Sequence, residues 1–241
     1  EIITYTGIAY ASPLTTFSGL TRGTDGSTAE AHDTDDQVQL CRRISGTVEQ
    51  VITELLTVDA GIEGQLVDLS GLASEQALYL SAYSLTGLIS EFTSVNRVLG
   101  WISQETGVYI WWDERQQQIR VKAIRAIAAS DITRTFTHES NIVEGSFRFA
   151  EKPRQRLNSV TLYYNPKNFA GELDDVTNFA NSQKIVNGTN SSLDQYGNVL
   201  QAKSIFSRFL TTNAEIAQTG ARLANRYEDV PIEAQFLVDA K

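Results

Sequence analysis

The chain has 241 residues, of which 41% are hydrophobic and 20% charged, and its formal net charge is −9. That length can bury the core of one large domain or of two ordinary ones. The acidic balance argues against specific nucleic-acid binding, which needs a basic surface, and the apolar runs are too short for membrane insertion. The single cysteine, Cys41, excludes an internal disulfide, and we expect it to be buried as a small apolar residue.

Residues 1–42 show short β-prone runs that are broken by Gly, Ser, Thr and Asp and end in a very polar segment, 30–37. This pattern is typical of the end of a β-rich module or of an arm. The sequence contains no methionine and begins at Glu1 in a strand-like run. We therefore expect that the start of the chain is missing.

Residues 43–130 predict a subdomain of helices and one β-hairpin. Thr47 and Gln50 have the spacing of a capping box, and the helix that follows should end at Gly61. Further along, the sequence predicts a helical stretch at 75–82, a short strand at 85–89 and a third helix from 94 to 107.

The hairpin is the clearest local signal. The run V-Y-I-W-W at 108–112 and the run I-R-V-K-A-I at 119–124 are separated by a polar turn. The first strand carries aromatic side chains on both faces, so we expect both faces to be covered.

Residues 131–241 predict a second subdomain that is rich in strands. Strands are expected at 143–149 and 159–164, and the polar stretch 165–196 is expected to be a long loop that serves as an interaction surface. A helix capped by Asn213 should then turn one side inward, and a final strand should alternate. The inward residues are Ile216, Ala217, Leu223, Ala224 and Tyr227, and the alternating ones are Ile232, Ala234, Phe236 and Val238. The fold class expected is α+β, with mostly antiparallel β-sheets and several amphipathic helices packed on them.

We find no catalytic, cofactor-binding or metal-binding residue to predict. Asp113 and Glu114 lie beside two tryptophans and invite comparison with a glycosidase, but neighbours on a strand point to opposite faces. A solvated hairpin turn is the better interpretation of this pair. His32 and His138 fall in separate modules, and residues 33–36 lack the glycine and the distant glutamate of a calcium loop.

A pattern of glycine, aromatic and basic residues spans positions 3–32. Its members are Tyr5, Gly7, Gly19, Arg22, Gly23, Gly26 and His32. The glycines should allow turns with positive φ, and Arg22 should tie down loop carbonyls or an acidic neighbour. This arrangement resembles a segment of bacteriophage and prophage tail proteins. The chain departs from the pattern after His32, where four residues rich in aspartate replace a small residue and a glycine.

Two later stretches resemble tail hub proteins. They are 99–124, with W-I-S-Q-E-T-G-V-Y-I-W-W-D-E-R at its centre, and 203–231, with K-S-I-F-S-R-F-L and R-L-A-N-R-Y. The resemblance implies a structural virion protein, not an enzyme, at the hub or tip of a phage tail. It also implies a split β-barrel, a homo-oligomer that is commonly a trimer, and a channel for tape-measure protein and DNA. Tail-tube, distal-tail and fibre proteins would be neighbours.

If the chain assembles in this way, apolar or aromatic residues should stay uncovered in a single copy. The positions we expect at the interface are Trp111, Trp112, Tyr163, Tyr164 and Phe206. Two alternatives stay open. One is a tail module that degrades or binds cell-wall polysaccharide, and the other is a receptor-binding tip that uses the stretch 165–196.

Overall fold

A computed structural model describes most of the chain. The described residues are 1–12, 14–24, 27–33, 36, 38–125, 135–137, 141–153, 156–157, 159–169, 171–186, 202–227 and 232–239. Gly26, His138 and residues 187–196 of the predicted loop lie outside this part. The chain divides into two units, Glu1–Leu40 and Cys41–Lys241.

The first unit consists of two small antiparallel pairs. β1 (Ile3–Thr4) pairs with β4 (Thr21–Arg22), and β2 (Gly7–Ala11) pairs with β3 (Leu14–Ser18). No described residue of this unit is buried. Its strands therefore depend on backbone pairing and surface contacts more than on a core.

Two of the three described motif glycines have the expected conformation. Gly19 and Gly23 have φ values of 62° and 63°, in the left-handed region that favours glycine. Gly7 has no positive φ, so that expectation is wrong for it. A Cβ at Gly7 would lie 2.6 Å from the Ser18 hydroxyl oxygen, which a rotation of the Ser18 side chain can relieve.

The second unit opens with an antiparallel pair, β5 (Arg42–Thr47) and β6 (Ser84–Ile89), with the first helices between them. The predicted capping box is present at α1 (Val48–Glu54), because Thr47 and Gln50 exchange side-chain and backbone hydrogen bonds. The next helix, α2 (Leu69–Glu75), begins earlier than expected and continues as a π-helical turn, Gln76–Leu80. The Asp68 carboxylate sets this start by accepting a hydrogen bond from Gly71 N–H at 2.9 Å.

The helix and hairpin that follow agree with the sequence prediction. α3 (Val95–Thr106) begins after Ser94, whose side chain caps it, and ends at Gly107, which has a φ of 70°. β7 (Val108–Asp113) and β8 (Gln118–Ala123) then form an antiparallel hairpin.

Residues 141–151 differ from the strand predicted there. Ser146 N–H donates to the Val143 carbonyl at 3.0 Å and closes a turn, so the strand β9 (Arg148–Glu151) begins only after it. β9 pairs with β13 (Ile232–Gln235) in a separate two-stranded sheet.

A three-stranded sheet has β10 (Ser159–Pro166) at its centre. β11 (Phe179–Val186) pairs with it in antiparallel and β12 (Ala202–Phe206) in parallel orientation. The prediction of a loop over 165–196 is therefore wrong at β11. The polar composition of that strand hid it, because most of its side chains are exposed.

The last helix, α4 (Asn213–Tyr227), packs on this sheet. Its cap lies one residue earlier than predicted, because Thr212 and Glu215 exchange backbone and side-chain hydrogen bonds of 2.9 and 3.4 Å. Ala217 is exposed, contrary to expectation, whereas Ile216 and Ala224 are buried. Gly220 is also buried, against Leu162 and Ile185.

One core joins the early and late parts of the second unit. It brings together buried side chains from α1, α2, β6 and α3 with others from residues 209–216, among them Ile52, Leu72, Leu85, Ile102, Phe209, Leu210 and Ile216. Each such side chain stabilises the fold by about 2 kcal/mol. Cys41, by contrast, is exposed, so its predicted burial is wrong.

The fold class is α+β with mostly small antiparallel sheets, and β10 and β12 form a parallel exception. The described residues contain four α-helices and no closed barrel. No helix in the described part is long and apolar enough to cross a membrane.

Candidate assembly surface

The aromatic hairpin leaves large side chains uncovered in the single chain. Tyr109 is 62% exposed and Trp112 49% exposed, while Trp111 is half-buried and stacks on Tyr109 with ring centroids 5.5 Å apart. The expectation that both faces would be covered is therefore wrong within the described chain.

The other predicted interface positions lie on the three-stranded sheet. Tyr163 and Phe206 are half-buried and stack at 5.1 Å, with Phe179 at 5.6 Å from Phe206. Tyr164 is only 8% exposed and belongs to the core. Its neighbours in the same chain already cover it, so it offers no surface of its own.

A further set of exposed apolar side chains was not singled out from the sequence as an interface. It lies on β9, β13 and the residues beside them, and we name it the apolar ribbon: Val143, Phe147, Phe149, Ile232, Phe236, Leu237 and Val238. Phe149 is 72% exposed, Ile232 68% and Leu237 66%. Exposure at this level is unusual for large apolar side chains that lie together.

Backbone pairing, ring stacking and one ion pair are among the contacts that hold the apolar ribbon. Val143 N–H donates to the Leu237 carbonyl at 3.0 Å, Phe147 stacks on Phe236 at 6.0 Å, and Lys152 pairs with Glu233 at 2.9 Å. A two-stranded sheet by itself is marginally stable in water, and each strand of this one has an edge unpaired among the described residues. The ribbon therefore offers both exposed apolar side chains and open backbone groups.

Two of the motif residues near the N-terminus, Arg22 and His32, form a charge cluster with Glu1. Arg22 binds the Glu1 carboxylate at 2.9 and 2.5 Å and also donates to the Glu30 carbonyl, which confirms the two kinds of partner expected for it. His32 contacts Glu1 at 2.6 Å and Asp36 at 3.1 Å. Tyr5 packs edge-on against Phe17, 5.0 Å away.

Charge pairing shifts the pKa values in this cluster. The hydrogen bonds from Arg22 and then from His32 lower the pKa of Glu1 to about 2. The Glu1 and Asp36 carboxylates raise the pKa of His32 and hold its ring toward the charged form. The cluster ties three segments of the first unit together, which is a structural role.

The acidic pair on the hairpin has the geometry of a turn. Asp113 accepts hydrogen bonds from the N–H groups of Gln116 and Arg115 at 3.1 and 3.0 Å and pairs with Arg120 at 3.4 Å. The hydrogen bond from Gln116 and these other contacts lower the pKa of Asp113. No cluster of three or more His, Cys, Asp or Glu that could hold a metal ion occurs among the residues that the structure describes.

Two buried glutamates carry the connections between elements, and the sequence did not single them out. Glu105, near the end of α3, accepts hydrogen bonds from the Ser207 hydroxyl and from the N–H groups of Arg208 and Phe209, at 2.7, 2.6 and 3.1 Å. Its burial raises its pKa. Glu215 accepts from Ser84 N–H at 2.9 Å as well as capping α4. The T-x-x-E spacing at 212–215 was a readable signal for Glu215, whereas Glu105 had none.

No protein-family model matches the chain, and no curated protein matches it either.

Proposed function

We propose that this chain is a structural protein of a bacteriophage tail, a hub or tip component that assembles with copies of itself. Two lines support this proposal. The sequence resembles tail proteins at 3–32, 99–124 and 203–231, and the apolar ribbon is uncovered in the single chain. The ribbon is the observation that carries the proposal.

In an assembly, a neighbouring copy of the chain would bury the side chains of the apolar ribbon that are exposed in the single chain. A second copy that lies on the ribbon removes Phe149, Ile232 and Leu237 from water, which is worth roughly 25 cal/mol for each Å² of apolar surface. The open edges of β9 and β13 can pair with strands of neighbouring copies, as an added strand does in β-augmentation. Repeated around an axis, such pairing closes small sheets from each subunit into a split barrel, and a closed ring has no free edges.

The position that we propose for this chain in the phage tail follows from the resemblance to tail hub proteins. The ring, proposed to be a trimer, closes the tail tube and connects it to the tip, with tail-tube, distal-tail, tape-measure and fibre proteins as neighbours. Its channel passes the tape-measure protein and then the DNA. A net charge of −9 suits passage without specific binding, because like charge keeps the DNA from adhering.

The oligomeric state of the purified chain tests the proposal. Sedimentation over a range of protein concentrations should give a discrete oligomer, and Leu237→Ser should shift it toward the monomer by weakening the apolar contact. Leu78→Ser is a matched control, since Leu78 is 69% exposed but lies after α2, away from the ribbon. We expect the control to behave as the unmodified chain does.

A chain that stays monomeric at high concentration would count against self-assembly. Equal effects of Leu237→Ser and Leu78→Ser would count against the ribbon as the contact surface. The position in the tail is tested separately, by locating the chain and its symmetry in an image reconstruction of the intact particle.

A further inference from the structure

A pocket of about 120 Å³ lies beside the first turns of α3, away from the apolar ribbon. It is bounded by the end of β6, by the segment that follows β10 and by the turn after β12. Its lining residues include Leu88, Ser90, Arg97, Trp101, Phe169 and Arg208. The pocket shares no residue with the ribbon, so what it binds is independent of the proposed assembly.

Two guanidinium groups lie within cation–π distance of one indole ring in this pocket. The guanidinium carbon of Arg208 lies 4.1 Å from the centroid of Trp101, and that of Arg97 lies 5.5 Å from it. Cation–π contact with the tryptophan holds both groups in place. Desolvation lowers the pKa of Arg208, the charge of Glu105 opposes this, and the positive charge of Arg97 lowers the pKa further. The charges of Glu91 and Asp174 also oppose the lowering. Two like charges therefore line one pocket, and that of Arg208 is partly removed from water.

The donors of these two groups are unused by the chain. Within the described residues, neither guanidinium donates a hydrogen bond, and no carboxylate lies within ion-pair distance of either. A guanidinium has five N–H donors in a planar fork, and those of the exposed Arg97 and the half-buried Arg208 are left for water or for a ligand. An anion in the pocket would satisfy them.

The neighbouring charges restrict which anion fits. Glu91 and Glu172 also line the pocket, both exposed. Their negative charges oppose a ligand with two or more charges at one centre, such as a phosphate dianion. The planar fork of arginine matches a carboxylate in a bidentate geometry.

We propose that this pocket binds a single carboxylate group, gripped by the N–H groups of Arg97 and Arg208. Trp101 holds the two guanidiniums in position, and Phe169 and Leu88 contact the carbon skeleton of the ligand. The carboxylate comes either from a small free acid or from a glutamate or aspartate side chain of a protein. The recognition chemistry is the same for both.

Side-chain NMR reads this site directly. We would follow the Arg97 and Arg208 Nε–H signals and the Trp101 indole N–H signal while adding butyrate, or N-acetyl-glutamic acid amide as the protein-like probe. Both should give saturable shifts, and Arg208→Gln and Arg97→Gln should each weaken binding about tenfold by removing a charge-assisted hydrogen bond. Arg97 is exposed, so its variant keeps the fold even if Arg208→Gln does not.

The controls distinguish specific binding at Arg97 and Arg208 from a general effect of the net charge. Arg115→Gln changes the net charge equally but lies in the exposed hairpin turn, and it should leave the affinity unchanged. Tighter binding of butyrate identifies a free acid as the ligand, and tighter binding of the glutamate amide identifies a protein side chain. Absence of saturable shifts with both probes, equal shifts with phosphate or chloride at matched ionic strength, or an equal loss in Arg115→Gln would each overturn the proposal.

Discussion

At the scale of single residues, backbone conformation is the most direct guide to what a position requires. Gln117 has a φ of 52° and Asn165 a φ of 57°, and they are the only non-glycine residues of the described chain with positive φ. Gln117 closes the hairpin just before β8 begins at Gln118. The turn geometry forces it into a region that glycine occupies at lower cost.

Gln117→Gly should therefore raise the free energy of unfolding by about 0.5–1 kcal/mol. This is the net result of two effects: glycine relieves the strain of the left-handed conformation, but it also adds conformational entropy to the unfolded chain. Chemical denaturation measures this change. Gln116→Gly is the control, because Gln116 is in the same turn without positive φ, and it should lower the value by about 0.5–1 kcal/mol. A loss of stability in both variants would show that strain at position 117 is negligible.

At the scale of elements, the buried Glu105 ties α3 to the turn after β12. Its three hydrogen-bond donors come from residues 207–209. The N–H of Leu210 in turn donates to the Ser207 hydroxyl at 2.9 Å, so the whole turn depends on this carboxylate. The N–H groups of Arg208 and Phe209 donate to Glu105 and to no other acceptor of the described chain.

Glu105→Ala should lower the free energy of unfolding by about 3 kcal/mol, since it leaves buried donors without an acceptor. Gln104→Ala changes the preceding residue of the same helix, which is exposed, and should change stability by no more than about 0.5 kcal/mol. Thermal and urea unfolding of both variants would measure the difference. If both variants unfold alike, the Glu105 hydrogen bonds contribute nothing to stability.

Elements with local signals could be predicted, and those decided by distant partners could not. The capping box at Thr47, the Ser94 cap with the Gly107 stop and the hairpin at 108–123 all depend on residues that are neighbours in sequence. β11 is polar and mostly exposed, and only its pairing with β10 makes it a strand. Burial of Glu105 and exposure of the apolar ribbon likewise depend on which distant segments cover them.

The exposed residues of the candidate surface also divide into those that the sequence could predict and those that it could not. Sequence patterns pointed to Trp112 as a large aromatic side chain that stays exposed, and it is 49% exposed. They missed the ribbon because Ile232, Phe236 and Val238 have the alternation of a strand with a buried face. Alternation specifies that one face is apolar, but it does not specify that the same chain supplies the cover.

At the scale of the whole molecule, the buried core lies in one of the two units. Every residue of the contiguous buried cluster falls between Ile44 and Ile216, and no described residue before Cys41 is buried. A fragment of residues 41–241 should therefore melt within a few degrees of the full chain. A fragment of residues 1–40 should show no cooperative transition, because a chain of that length without a core cannot offset its conformational entropy.

Calorimetry of the two fragments and of the full chain measures this. Loss of the cooperative transition in the longer fragment would show that the first unit contributes to the stability of the second. A sharp transition in the fragment of residues 1–40 would show that its surface contacts are enough to stabilise a cooperative fold.

The placement of β12 and Phe209 late in the sequence also sets a condition on synthesis. The second edge of β10 is closed only by residues 202–206, and the core is completed only by residues up to 216. A nascent chain on the ribosome therefore carries α3 with Glu105 unpaired until about a hundred more residues have emerged after α3. In the later part of that interval it also carries β10 with one open edge. At roughly 5–20 residues per second, the whole interval lasts about 5 to 20 seconds. During it, this half-finished unit is the form that chaperones and neighbouring nascent chains meet.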